Sequence, residues 1–252
     1  MELGRSNFWY TSHMSITNQS VIQGWSKVTD QEIDAFGDSG DFFRQHLLNP
    51  TLLDLLGDVN GKTILDAGCG TGYLSRMLAR KGAKVTGVEP GESMFKFADS
   101  KEKEAPLGIT YLQEDLSEFH SEEKFDSVVS NMVFMDIPRY ENAMHNCIDS
   151  LKPHGSFIFS ISHPCFEDVG DEWEDKKQVV VKEYLKVYEI KRHHAYSFHR
   201  PLSIYINQII ENGCEIVKMI EPKLDEVVAQ ENPRGQRDVH IPSFVIIHAV
   251  RK

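Results

Sequence analysis

Between residues 15 and 60 the apolar positions recur at helical spacing, with Leu48, Leu52, Leu53, Leu55 and Leu56 on one stripe and Gly57 as a stop. From residue 63 the texture changes to short apolar or β-branched runs. TILDA (63–67), KVTGVE (84–89), GITYL (108–112), FDSVVSN (125–131) and GSFIFSIS (155–162) read as strands. GYLSRMLARKG, GESMFKFADSKEKE and PRYENAMHNCIDSLK lie between them and read as helices. Strands alternating with helices at this spacing build βαβ units, so the expected fold is α/β, a Rossmann-like, doubly wound and mostly parallel sheet.

The alternation breaks at residue 164. Residues 164–200 are polar, aromatic and His-rich, with one strand-like run, QVVVKEYLKVYEIKR. A helix over 202–213 follows, then the runs CEIVKMIEP and SFVIIHAVRK with no helical pattern between them. Parallel neighbours need a long, usually helical crossover, so these two runs predict an antiparallel pair that closes the sheet. The organisation expected is a helical cap over 14–60, a core over 61–163, a lid or substrate insert over 164–200 and the rest of the sheet over 201–252. Ser12-His13-Met14 resembles a cloning junction, so residues 1–13 read either as an expression leader or as native chain.

Composition narrows the partners. The 252 residues carry a formal net charge of −11, and no Lys/Arg stripe is present beyond KRHH at 191–194. Phosphate backbones are bound by cations, so DNA is excluded as a partner and tRNA is disfavoured. Cys69, Cys147, Cys165 and Cys214 show no CxxC pairing, which suits a reducing cytoplasm and neither a disulfide framework nor structural zinc. No apolar run approaches the roughly 20 residues a bilayer span needs.

The turn DAGCGTG puts Gly68, Gly70 and Gly72 directly between a strand and a helix. Glycines there let the backbone turn tightly and let a ligand approach, while the helix start offers unpaired N–H groups. Glu89 ends the next strand about 20 residues on, where a carboxylate can take both hydroxyls of a ribose. No Lys follows the glycines, so this is not a triphosphate loop. Tyr73 occupies the third glycine position of a dinucleotide fingerprint, and Asp66 is an awkward neighbour for a pyrophosphate. A carboxylate suits a nucleoside with a cationic amino-acid tail.

ILDAGCGTGYLS followed by VTGVEPGESM resembles the first two motifs of the class I S-adenosylmethionine-dependent methyltransferases. YLQEDLSEF (111–119) is similar to their third segment and FDSVVSNMVFMDIP (125–138) to their fourth, with SLKPHGSFIFSIS (150–162) as the helix end and strand that follow. The resemblance runs from about residue 46 to 163 and implies seven strands with the last antiparallel. It implies that Gly68, Gly70 and Gly72 face the methionine part of the cofactor beside Asp66 and Cys69. Glu89 would hold the ribose, Pro90 and Met94 flank ribose and adenine, Asp115 and Leu116 hold the adenine edge, and Asn131 and Met132 line the floor near the sulfonium. GDFFRQHLLNPTLLDLL (40–56) resembles the entry helix of ubiquinone-pathway O-methyltransferases, which makes Arg44 a candidate for the cofactor carboxylate.

Methyl transfer from a sulfonium is an in-line displacement that needs positioning and water exclusion, and a base only where the acceptor must lose a proton. The fourth motif reads NMVF in place of the DPPY- or NPPY-like run of base-amine methyltransferases, and Cys165 in SHPCF sits in no pyrimidine-methylating motif. A small-molecule acceptor is expected, methylated on oxygen or nitrogen, with Phe134, Met135, Phe166 and Tyr196 lining its pocket. His163, on the carboxyl edge after the fifth strand, either accepts the acceptor proton or bonds its own loop. His193, His194 and His199 have no acidic ligand at helical spacing and read as surface or lid groups, with no metal. Three other readings of the chain are a cofactor-binding regulator without catalysis, a nicotinamide-dependent dehydrogenase and a tRNA methyltransferase.

Overall fold

A computed structural model describes residues 16–167, 173 and 176–252. The leader expected over 1–13 and part of the 164–200 insert therefore fall outside the described residues. Helices α1 (Asn18–Trp25) and α2 (Asp30–Phe36) open the described chain. Each begins on a threonine, Thr17 or Thr29, whose side chain accepts the N–H three residues on, while Ser20 or Glu32 reaches back to the cap N–H. That reciprocal arrangement satisfies two donors that a bare helix start leaves unpaired. A π-helical turn over Arg44–Leu48 runs into α3 (Asn49–Leu56).

The core alternates β1 (Thr63–Ala67), α4 (Tyr73–Arg80), β2 (Lys84–Val88), α5 (Glu92–Glu104), β3 (Thr110–Leu112), β4 (Phe125–Asn131), α6 (Tyr140–Asp149) and β5 (Leu151–Ser162). A hairpin, β6 (Tyr188–Lys191) and β7 (Tyr196–His199), comes next, then α7 (Leu202–Glu211), β8 (Cys214–Ile220) and β9 (Phe244–Arg251). Seven strands form one sheet in the order β3-β2-β1-β4-β5-β9-β8. Its pairs are parallel from β3 to β5, and β9 runs antiparallel to both β5 and β8. The doubly wound sheet and its antiparallel closure agree with the sequence pattern. The run over 178–192 does not: only Tyr188–Lys191 of it is strand, paired with β7 as a separate two-stranded sheet.

β1 and β4 are buried along nearly their whole length because helices cover both faces. On one face Leu65, Val128, Phe157 and Phe159 pack against Met144 of α6 and Tyr205 and Ile209 of α7. On the other, Ile64, Val129 and Ile158 pack against Leu52 and Leu56 of α3 and Leu74 and Leu78 of α4. The chain winds outward from β1 to β3, then returns to place β4 on the other side of β1. Reversal of strand order there opens a crevice beyond the carboxyl ends of β1 and β4, the place where open α/β sheets receive ligands. Among the described residues no helix is long and apolar enough to cross a membrane.

Candidate functional site

The crevice holds a cleft enclosing about 940 Å³, part of it open to solvent, within the ~300–1,000 Å³ typical of small-ligand sites. Eleven of the residues named from sequence line it: Arg44, Gly68, Cys69, Gly70, Glu89, Pro90, Met94, Asp115, Leu116, Asn131 and Met132. They come from the carboxyl ends of β1 to β4 and the loops that follow, with Met94 from α5 and Arg44 from the π-helical turn. The backbone explains the glycines. Gly68, Gly70 and Gly72 all have positive φ, at 76°, 54° and 72°. Above Gly70 a side-chain carbon would meet nothing closer than Met94 Sδ at 3.7 Å, so this is where a ligand can lie on the backbone.

Glu89 is buried, and its two oxygens accept the Gly70 N–H at 3.0 Å and the Gly91 N–H at 2.7 Å. Burial pushes its carboxyl up to about 7 against the pull of those two donors. Asp115 Oδ1 accepts the Ser117 N–H at 2.9 Å, and its Oδ2 accepts from Asn18 of α1 at 3.2 Å. The floor is a chain of side-chain hydrogen bonds. Ser160 Oγ donates to Asn131 Oδ1 at 2.6 Å, Asn131 Nδ2 to Tyr73 Oη at 2.7 Å, and Tyr73 Oη to Asn49 at 3.0 Å. Met132 sits at φ 64°, held there by its N–H bonding Ser160. Strained non-glycine backbone of this kind costs of order 1–3 kcal/mol and persists only where neighbours impose it.

Several expected positions are corrected. Asp66 does not line the cleft: it faces α4, where Ser75 Oγ donates to it at 2.5 Å, and burial pushes it up to about 6. Gly72 does not face a ligand, because a carbon added there would strike Tyr111 Oη at 2.4 Å; its role is to let β3 approach the turn. Phe134 is fully buried in the core, edge-on to Phe159 with 5.4 Å between ring centres. Tyr196 packs with Val21, Ala195 and Phe198 beneath α1 and lines neither cavity described here. His163 is buried outside both cavities: one ring nitrogen lies 2.9 Å from Glu221 and the other accepts the Cys165 N–H at 3.2 Å. With both nitrogens engaged it ties the end of β5 to the end of β8. His199 is no surface group either, being buried in an ion pair with Glu167. His194 lies 2.7 Å from Glu32 of α2, with His193 at 3.9 Å from the same oxygen, so an acidic partner arrives from 160 residues away.

A second cavity of about 1,820 Å³ adjoins the first. Both are lined by Trp25, Arg44, Met132 and Asp136, so these residues stand at the junction. The expected pocket residues Met135 and Phe166 line the second cavity, with Phe43, Trp173 and Phe244. Asp136 ends a 3₁₀ turn over Phe134–Asp136 and accepts from Ser197 Oγ of β7 at 2.6 Å. Burial pushes its carboxyl up to about 7, although the Ser197 hydrogen bond and the charges of Arg192, Arg44 and Arg200 pull the other way. Sequence reasoning missed Asp136, Tyr73, Thr71 and the α1 residues Asn18 and Ile22, all of which line the first cleft. Asp136 alone carried a signal, as the single acid in the apolar run NMVFMDIP.

The donor set and shape fit a nucleoside with an amino-acid tail. Carboxylates stand beyond the ends of β2 and β3, open backbone lies over Gly70, and the buried Thr71 hydroxyl has no hydrogen-bond partner among the described residues. Residues 65–159 match the family described as methyltransferase domain. A Haemophilus influenzae protein, described only as uncharacterized, is 34% identical over 196 residues, 69% of this chain and 76% of its own. The ubiquinone biosynthesis O-methyltransferase of Coxiella burnetii is 30% identical over 152 residues, 58% of this chain and 65% of that enzyme. A solved S-adenosylmethionine dependent methyltransferase from Mesorhizobium loti superposes with a TM-score of 0.72 at 24% identity, covering 85% of this chain and 100% of its own.

Proposed function

The chain belongs to the class I S-adenosylmethionine-dependent methyltransferases, and on that premise we propose that it moves the methyl group to an oxygen or nitrogen of a small-molecule acceptor. The observation that carries this reading is the pair of cavities that meet at Met132 and Asp136. One has the donors and acceptors for a nucleoside, the other is roomy and sets aromatic and aliphatic side chains beside polar and charged ones. The similarity to a ubiquinone biosynthesis O-methyltransferase supports a small acceptor and an oxygen.

S-adenosylmethionine supplies a methyl already activated on a sulfonium. The chain's part is then to hold two reactants in line and keep water out. In this reading Glu89 accepts from the ribose hydroxyls, Asp115 and the Leu116 segment hold the adenine edge, and Met94 and Pro90 pack beside them. Gly70 carries the amino-acid tail on open backbone beside Gly68, and Arg44 takes its carboxylate. Asn131 and Met132 form the floor, fixed by the Ser160–Asn131–Tyr73 hydrogen bonds. The cap covers the cofactor through Ile22 and Trp25, while Phe166, Trp173 and Arg192 of the insert wall the acceptor side. Asp136, in place of His163, takes the acceptor proton: it faces both cavities and its raised pKa suits proton transfer near neutral pH.

Calorimetry with S-adenosylhomocysteine and transfer of labelled methyl across phenols and amines test the reading together. Binding plus label on a small acceptor is the expected result. Binding with no label on any acceptor, or label on tRNA alone, would overturn it.

A further inference from the structure

The second cavity gathers cations in a chain whose formal net charge is −11. Arg192, Arg237 and Lys177 all reach its wall, and among the described residues none of the three comes within 4 Å of a carboxylate oxygen in an ion pair. Arg192 donates its Nε to Ser197 Oγ at 3.3 Å and acts on the Asp136 carboxyl through its charge, and among the described residues its terminal nitrogens make no hydrogen bond. Arg237 bonds Ser243 through Nη2, and its buried Nε has no hydrogen-bond partner among the described residues. Lys177 lies over the Trp173 ring at 5.5 Å.

The negative groups on the same wall are largely spoken for. Glu167 is paired with His199. Asp136 accepts from Ser197, and burial pushes its carboxyl up to about 7; burial pushes the Asp238 carboxyl upward too, against the charge of Arg237. Arg44 is matched by Asp41. What remains is two guanidinium groups with open donors beside an apolar surface of Phe43, Met135, Phe166 and Phe244. A buried donor without an acceptor is costly, and a guanidinium fork matches a carboxylate in shape and charge.

Resting on the reading of this cavity as the acceptor pocket, we propose that the acceptor has an apolar body and a single carboxylate, held by Arg192 and Arg237. A monoanion fits better than a phosphate dianion, whose second charge would face the charge that Asp136 and Asp238 retain. The carboxylate thereby orients the acceptor, with its methylated atom turned toward the junction at Met132 and Asp136.

The test uses 2-naphthoate, its neutral isostere 2-naphthamide, and 2-naphthyl phosphate, each titrated into the whole chain saturated with S-adenosylhomocysteine. The expected result is 2-naphthoate binding about tenfold or more tighter than the other two. Arg192→Gln and Arg237→Gln should each remove most of that preference, leaving 2-naphthamide binding and S-adenosylhomocysteine affinity unchanged. Equal binding of acid and amide, a preference for the phosphate, or a preference that survives both substitutions would overturn the proposal. Methyl transfer to the phenol and amine panel is scored separately. Carboxylate binding without transfer would refute the acceptor-pocket reading alone, and transfer to neutral acceptors without carboxylate binding would refute the anion site alone.

Discussion

Glu89→Gln isolates the carboxylate on which cofactor binding is argued to turn. In the ligand-free protein its oxygens accept from Gly70 at 3.0 Å and Gly91 at 2.7 Å, and burial holds the group near pKa 7. Ribose hydroxyls would donate to the ionised form, and hydrogen bonds to a charged group are worth about 1.5–3 kcal/mol each. Glutamine keeps one acceptor oxygen but turns an NH₂ toward donors, so the loss is put at about 2–4 kcal/mol, roughly 30- to 1,000-fold in Kd. The pH dependence is the sharper signature. Binding that requires the carboxylate must expel its proton below pH 7, so wild-type affinity for S-adenosylhomocysteine should climb from pH 6 to pH 8 and then level. The glutamine variant has no proton to lose and should be flat over that range. Isothermal titration of both proteins at pH 6, 7 and 8 reads both effects. A variant within about threefold of wild type at pH 8, or wild-type affinity that does not rise with pH, would refute the reasoning.

The same carboxyl bears on stability. Between pH 4.5 and about 7 the folded chain holds a proton at Glu89 that the unfolded chain has released, so this group's contribution falls as pH rises. Denaturant titrations should show ligand-free Glu89→Gln gaining on wild type across that window, by up to about 3 kcal/mol. Asp136→Asn should lower kcat by about 10²-fold or more while S-adenosylhomocysteine affinity stays put, and unchanged turnover would remove Asp136 as proton acceptor. His163→Ala should cost about 1–3 kcal/mol in denaturant titrations through the lost Cys165 and Glu221 bonds, with turnover of the folded protein preserved. Phe134→Ala should cost about 3–5 kcal/mol by opening a core cavity, since the ring is fully buried; a loss under about 1 kcal/mol would contradict its placement.

How far the sequence could be read depended on whether the physics was local. Strands buried on both faces are continuous apolar runs, so β1, β4 and β5 were legible. Glu89 and Asp115 were legible because strand ends and loop spacing fix where they emerge. Asp66 was misplaced although the strand itself carried the answer. Side chains alternate along β1, and Ile64 packs with α3 and α4, so Asp66 two residues on must face α4 as well. In NMVFMD the 3₁₀ turn rotates Phe134 into the core and brings Asp136 to the cavity, a rotation that no hydrophobic pattern announces. His163 and His194 owe their roles to Glu221 and Glu32, partners set by tertiary contact at separations of 58 and 162 residues. The run over 178–192 has strand composition, but only the part that finds β7 becomes strand.

A crystal structure with S-adenosylhomocysteine bound would test the central claim most directly, because that claim fixes where the sulfur must lie. The ribose hydroxyls should sit on Glu89, the adenine between Met94 and Leu116, and the sulfur at Met132, facing the second cavity past Asp136. A bound cofactor whose sulfur points away from that cavity, or whose ribose leaves Glu89 bonded to Gly70 and Gly91 alone, would contradict the account.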